Sequence, residues 1–453
     1  MTVNGDETAR EGLGRGTRRR VVQRVAGGAA GMGGLVAAAC GTGTGARGDG
    51  APAAGGASGQ ITFMSRDNGT DLEPYKQGIE RFNAAQGKVR VTHEIATGSY
   101  FPKLQTMLVA GTPPDVTYMH SANAASFAPE GALAALDPLV RRDKGALDGL
   151  LPNAVEAYRF RGATYGVPDV TTSLVMFVNR SLFARTGATL PTDRWTWSDF
   201  LAAAQRVTNA GRAEEVWGTA DYTGNFPRYT VLWQNDADIL NKDRTAVTVD
   251  APATVEALTW IADQLHRLRV HPTPAEMAGK TALQLFQEGK VAMWPNISSA
   301  MGTVAKTAAF DFEVFHLPQG KKQVTRTACG GTAMVKASKN PEAGWAFEKF
   351  LATEEFQWLM VKAGGIIFPA HKKVTEAPEL FAGGPFPKSP KISVEAMAYA
   401  RTEPYVPLYD DLVAAYNKEL APVWAGETTV RDAVTKAKAT MDPIVKDAVA
   451  RMK

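Results

Sequence analysis

The sequence predicts an α/β fold in which helices outnumber strands and the sheet is mostly parallel. Three observations carry that expectation. Between residues 61 and 119, strand-like and helix-like hydrophobic periods alternate, as a sheet layered with helices requires. About 414 residues remain once an N-terminal address segment is set aside, enough for two domains. Cys329 is the single cysteine after Cys40, so a large core rather than an internal disulfide must hold the chain together.

Taken in order, Ile61 to Met64 reads as a buried strand. Asp71 then caps a helix with Pro74 in its first turn, and Leu72, Tyr75, Ile79 and Phe82 share one face. Val89, Val91, His93 and Ile95 alternate with Arg90, Thr92 and Glu94, which gives a second strand. Phe101, Leu104 and Leu108 mark a helix that Gly111-Thr112-Pro113-Pro114 breaks before a third strand, Asp115 to Met119. Further on, Asp250 to Leu268 is a long amphipathic helix, and Asn340-Pro341-Glu342 opens another that buries Trp345, Phe347, Phe350 and Leu351. Asp411 to Met452 is helical, with Pro422 and Pro443 as breaks. Cys329 beside Gly330-Gly331 reads as a small buried residue.

The N-terminus is an address. Thr17-Arg18-Arg19-Arg20-Val21-Val22-Gln23 precedes an uncharged run from Val25 to Ala39, rich in Gly and Ala. A basic region, an apolar region and small residues in that order make a secretory signal over 1–39. The twin arginines resemble a Tat export signal. Ala37-Ala38-Ala39-Cys40 resembles the lipobox of bacterial lipoproteins, which makes Cys40 the expected site of acylation and membrane anchoring. Residues 40–58 are almost all Gly, Ala, Thr and Ser, a flexible tether with too little apolar surface to fold.

Charge and motifs narrow the function. The signal holds 6 of the 50 Lys and Arg and 3 of the 46 Asp and Glu, leaving a formal charge of +1. Such a balance excludes a nucleic-acid binder, which needs a basic face to release counterions. Six scattered histidines and the lack of HExxH, GxSxG and P-loop patterns predict no catalytic centre, no metal and no cofactor. A glycosidase needs only two carboxylates, so a secreted carbohydrate-active enzyme stands as the rival reading. A surface-anchored structural protein is a third class.

Four segments together resemble the family 1 extracellular solute-binding proteins. They are Gly111-Thr-Pro-Pro-Asp115-Val116 with Pro129 to Asp137; Gly162-Ala-Thr-Tyr165-Gly166-Val167-Pro168 through Phe177, Asn179 and Phe183 to Thr196-Trp197-Ser198-Asp199-Phe200; Phe286-Gln-Glu-Gly289-Lys290-Val-Ala292-Met293; and Gly330-Gly331-Thr332 through Asn340-Pro341-Glu342 to Leu351. The resemblance spans about 59–453. It implies a two-lobed periplasmic-binding-protein-like fold whose chain crosses a hinge after Pro168, near Leu317-Pro318 and near Ile367-Phe368-Pro369. An N-lobe of 59–170 with 312–368 and a C-lobe of 171–311 with 369–453 follow. The implied function is a monomeric receptor that delivers a small carbohydrate to the permease of an ABC-type importer by hinge closure. A non-sugar solute such as glycerol phosphate is the alternative ligand.

Ligands of open α/β sheets bind beyond the carboxyl ends of strands, and a sugar asks for aromatic faces beside planar hydrogen-bonding groups. Strand ends supply Arg66, Asp67, Asn68, His120 and Asn123; the hinge supplies Asp169 and Thr172. On the C-lobe the polar-aromatic loops carry Tyr222, Asn225, Phe226 and Trp233. Trp294 and Asn296 follow the Val291–Met293 strand, where the family presents a binding aromatic and where Pro295 should stop pairing. Gly331, and Arg401 with Tyr405 in a turn-rich segment, complete the set.

Overall fold

Eleven strands are present among the described residues: β1 (Gly59–Arg66), β2 (Val89–Ala96), β3 (Val116–Tyr118), β4 (Arg159–Phe160), β5 (Ala163–Thr164), β6 (Val167–Asn179), β7 (Trp217–Thr219), β8 (Val291–Ile297), β9 (Phe312–Phe315), β10 (Thr325–Met334) and β11 (Ala400–Arg401). The structure, a computed structural model, describes residues 57–67, 71–362, 368–381 and 391–452. The expected signal, Cys40, most of the tether, Asn68 and Ile367 lie outside those residues. No helix among the described residues is long and apolar enough to cross a membrane.

β1 pairs in parallel with both β2 and β3, with Ile61 opposite Val91 and Phe63 opposite Val116. The helices Leu72–Ala85 and Tyr100–Ala110 make the crossovers, and Gly111 ends the second at φ 74°, a left-handed position that glycine takes without strain. Phe63, Tyr75, Phe82, Phe347 and Phe356 close this first core. A second core gathers Phe200, Trp233, Leu258, Tyr416, Leu420 and Val434, and a third gathers Phe177, Phe286, Trp294 and Val314.

β6 and β10 join the halves. They pair antiparallel from Thr327 opposite Ser173 to Thr332 opposite Val167, and every residue of β10 is buried. β10 then pairs antiparallel with β3, and β6 pairs antiparallel with β8 and β9. The sheet runs β2-β1-β3-β10-β6-β8-β7, so it is mixed rather than mostly parallel. The reason is topological: strands that carry the chain from one core to the other must run back along their neighbours. β9 pairs with Met176–Asn179, and Leu317 and Val324 belong to the second core. The chain therefore returns to the first half along β10, later than the Leu317-Pro318 crossing expected from sequence. At Phe368-Pro369 the chain again meets β6: the Thr171 amide donates to the Phe368 carbonyl at 2.8 Å and Pro369 bridges to Val170.

Pro422 and Pro443 do not break helices. They lie inside Tyr409–Ala425 and Val430–Arg451, and the break falls at Gly426 with φ 79°. Packing of these two helices on the second core outweighs the one hydrogen bond each proline removes.

Candidate functional site

A cavity of about 660 Å³ lies where the two halves meet across β6 and β10. Its first wall is the carboxyl end of β1 and β3, with Arg66, Asp71, Tyr118 and His120. Its floor is Val170 to Thr172 of β6 and Arg326, Ala328 and Gly330 of β10. The second wall is the helix Asn225–Gln234, which offers Asn225, Phe226 and Tyr229, together with Tyr405, Tyr409 and Asn417 from the C-terminal part.

Two arginine braces set its electrostatics. Arg66 reaches both oxygens of Asp71 at 3.3 Å and lies with its guanidinium 4.3 Å from the Tyr118 ring centre. Asp71 stands at the N-cap position, yet its side chain makes no cap hydrogen bond; the carboxylate is spent on Arg66. Arg326 donates to Glu403 at 2.5 Å, Tyr405 donates to the other Glu403 oxygen at 2.8 Å, and the guanidinium covers the Phe226 ring at 3.7 Å. Arg326 and Glu403 are almost fully buried, and each satisfies the other away from water. His120 accepts from the Ala122 amide through Nδ1 at 3.2 Å. Burial, with Arg326 and Arg66 nearby, pushes its pKa down to about 4. The ring is therefore neutral at neutral pH, and its Nε2 carries the proton.

Of the residues expected from sequence, Arg66, His120, Thr172, Asn225 and Phe226 are brought together here, and Tyr405 with them. Asp67 is exposed beside Arg66, and Asn123 is half-buried in the helix Ser121–Phe127 without lining the cavity. Asp169 faces the first core, where Tyr75 donates to it. Tyr222 and Trp233 are core residues of the second half. Arg401 pairs with Asp238 at 3.0 Å and lies over the Trp233 ring, away from the cavity lining. Gly331 is a packing glycine: a Cβ there would stand 2.3 Å from the Val167 carbonyl oxygen, so only glycine fits beside the bulge in β10.

Trp294 corrects the largest expectation. It is 2% exposed, its ring lies 5.2 Å from Phe177 and 5.6 Å from Phe286, and Nε1 donates to Asp221 at 3.2 Å. The strand does not stop at Pro295; it pairs with β6 through Ile297. β7 ends opposite Met293, so β8 has an open edge at the proline, the position a sheet tolerates. Ile297 reaches the cavity instead, while Asn296 accepts from the Ile297 amide at 2.6 Å.

Sequence reasoning missed Asp71, Tyr118, Tyr229, Arg326, Glu403, Tyr409 and Asn417. Two signals were available. Arg326 is a lone charge in an otherwise uncharged strand. Asp410, Val413, Ala414 and Asn417 recur at the spacing of one helix face.

Two halves joined through crossing strands, with a solute-sized cavity between them, define a two-lobed binding protein. The chain matches the profile of the bacterial extracellular solute-binding proteins over residues 77–388 and belongs to that family. It is a binding protein and not an enzyme. An ABC substrate-binding protein of Listeria monocytogenes in complex with cycloalternan is 25% identical, with a TM-score of 0.72 over 85% of this chain and 98% of that one. The cyclic α-maltosyl-1,6-maltose-binding protein of Arthrobacter globiformis shares the fold with a TM-score of 0.75, at 22% identity, over 86% of this chain and 100% of that one. The sn-glycerol-3-phosphate-binding periplasmic protein of Rhizobium meliloti is 22% identical over 83% of this chain and 92% of its own length.

Proposed function

We propose that this protein captures a neutral carbohydrate in the cleft and hands it to the permease of an ABC importer by hinge closure. The observation that carries the reading is the cavity's chemistry: the aromatic side chains of Tyr118, Phe226, Tyr229, Tyr405 and Tyr409 line it together with fixed planar polar groups. Aromatic faces cover sugar C–H surfaces while the polar groups meet hydroxyls. Charge bookkeeping argues against glycerol phosphate. Both cleft arginines already hold a carboxylate, His120 is neutral, and Asp410 adds a further negative charge at the lining. Among the described residues, a phosphate would find no lining cation without a carboxylate partner.

Calorimetric titration against neutral mono- to tetrasaccharides, including maltotriose, and against sn-glycerol 3-phosphate tests this. Binding of a neutral sugar alone is expected; binding of the phosphate alone would reverse the assignment.

Within the same reading, residues 1–39 are a Tat-type signal, Cys40 carries the lipid anchor, 40–58 is the tether, and the receptor works as a monomer at the outer face of the membrane. Acylated Cys40 is expected by mass spectrometry of membrane-extracted protein; a soluble product with Cys40 bare or removed would reject the anchor. The lobes are 59–170 with 325–362, and 171–324 with the helices from Tyr409 onward. The described residues 368–381 and 391–399 belong to the third connection.

A further inference from the structure

Arg228 lies behind the second wall of the cleft, on the helix Asn225–Gln234, and is only 2% exposed. No carboxylate stands within ion-pair distance of it among the described residues. Its guanidinium instead donates to three neutral oxygens. One nitrogen, Nη1, reaches the Thr223 carbonyl at 2.8 Å. The other, Nη2, serves the side-chain oxygens of both Asn225, at 2.6 Å, and Asn417. The Tyr416 ring, 5.1 Å from the guanidinium carbon, covers one face. Nε is left without a partner. Both asparagines line the cavity, one from each of two helices far apart in the chain.

Arginine has donors and no acceptor, so the amide atom facing it must be oxygen in both asparagines. The other end of each amide, the NH2 group, then makes no protein hydrogen bond among the described residues, and both asparagines line the cavity. The two N–H bonds of Nη2, fixed in the guanidinium plane, orient both amides at once, whereas the three N–H bonds of a lysine ammonium rotate freely and fix no plane.

We propose that Arg228 is a positioning residue that locks Asn225 and Asn417 donor-first, so that this wall selects ligands presenting acceptor oxygens to it. For a sugar these are ring, glycosidic or hydroxyl lone pairs. The inference rests on the cleft being the ligand site, and not on which sugar fills it.

Two readouts test it on the purified full chain. In the free protein, the side-chain amide NMR signals of Asn225 and Asn417 are expected to be dispersed and to collapse toward those of free asparagine in Arg228→Met, with Arg228→Lys in between. Signals unmoved in Arg228→Met would overturn the bracing. The second variant is Asn417→Asp, which keeps the oxygen for Arg228, gives the buried cation a carboxylate partner, and removes the NH2 donor. Its melting temperature is expected to hold or rise by a few degrees, while maltotriose binding weakens at least about tenfold. Unchanged affinity in Asn417→Asp would overturn the donor polarity. If the wild type itself fails to bind maltotriose or any panel sugar, the carbohydrate reading fails, and the free-protein amide signals still decide the role of Arg228.

Discussion

Tyr118 ends its strand and borders the cleft, whereas Trp294 stands in the middle of its strand and does not. Tyr118 is the last residue of β3 and meets the Arg66 guanidinium, whereas β8 continues three residues past Trp294 and leaves the indole between Phe177 and Phe286. Replacing a packed tryptophan by alanine leaves a cavity, and here it also strips Asp221 of its indole donor. Trp294→Ala is expected to cost about 3–5 kcal/mol in a urea titration while maltotriose affinity stays within roughly twofold. A tenfold loss of affinity with an unchanged midpoint would return Trp294 to the site. Residue type and local pattern point to Arg66, His120, Asn225 and Phe226, which the fold gathers at one cavity because each lies where a strand ends or a helix opens. They could not separate Trp294 from Tyr118, because which strand extends further is a property of its partners.

The crossing strand β6 carries a buried acid that touches no cation directly. Burial pushes the pKa of Asp169 up to about 7, with the hydrogen bond from Tyr75 working in the opposite direction. In the unfolded chain the same carboxyl titrates near 3.9. The folded state thus binds the proton more tightly, and the stability this group contributes is complete below about pH 4 and is lost as pH rises through about 7. Asp169→Asn removes the titration. The stability gap between variant and wild type is expected to move in the variant's favour from pH 4 to pH 8, read from denaturant midpoints across that range. A gap that stays constant with pH would mean that Asp169 is ionised throughout. Elements were largely legible: both parallel crossovers and the Gly111 stop followed from periodicity and turn chemistry. The errors share a cause. By local pattern Pro422, Pro443 and Pro295 read as breaks, and in each case packing or an open sheet edge absorbs the missing donor.

On the scale of the molecule, ligand closure has a simple energetic basis. In the proposed hinge closure, a solute touching Arg66 and Tyr118 on one wall and Tyr229 and Tyr409 on the other gains contacts with both as the halves approach. It therefore shifts the population toward the closed form by its differential affinity. Saturating maltotriose is expected to reduce the radius of gyration measured by X-ray scattering on the full chain. An unchanged radius at proven saturation would make the cleft a rigid pocket.

The sequence by itself determined the class of fold, the binding-protein family and several strand-end candidates. These depend on local periodicity, turn residues and composition, which are written in neighbouring positions. Only the tertiary structure decided that Asp71 serves Arg66 instead of its helix, that Glu403 meets Arg326, and that Arg228 draws Asn225 and Asn417 together. Two of these three depend on partners far apart in the chain, brought together by burial around two crossing strands; the third turns on which of two nearby groups takes a carboxylate. No period or spacing along the sequence encodes either outcome.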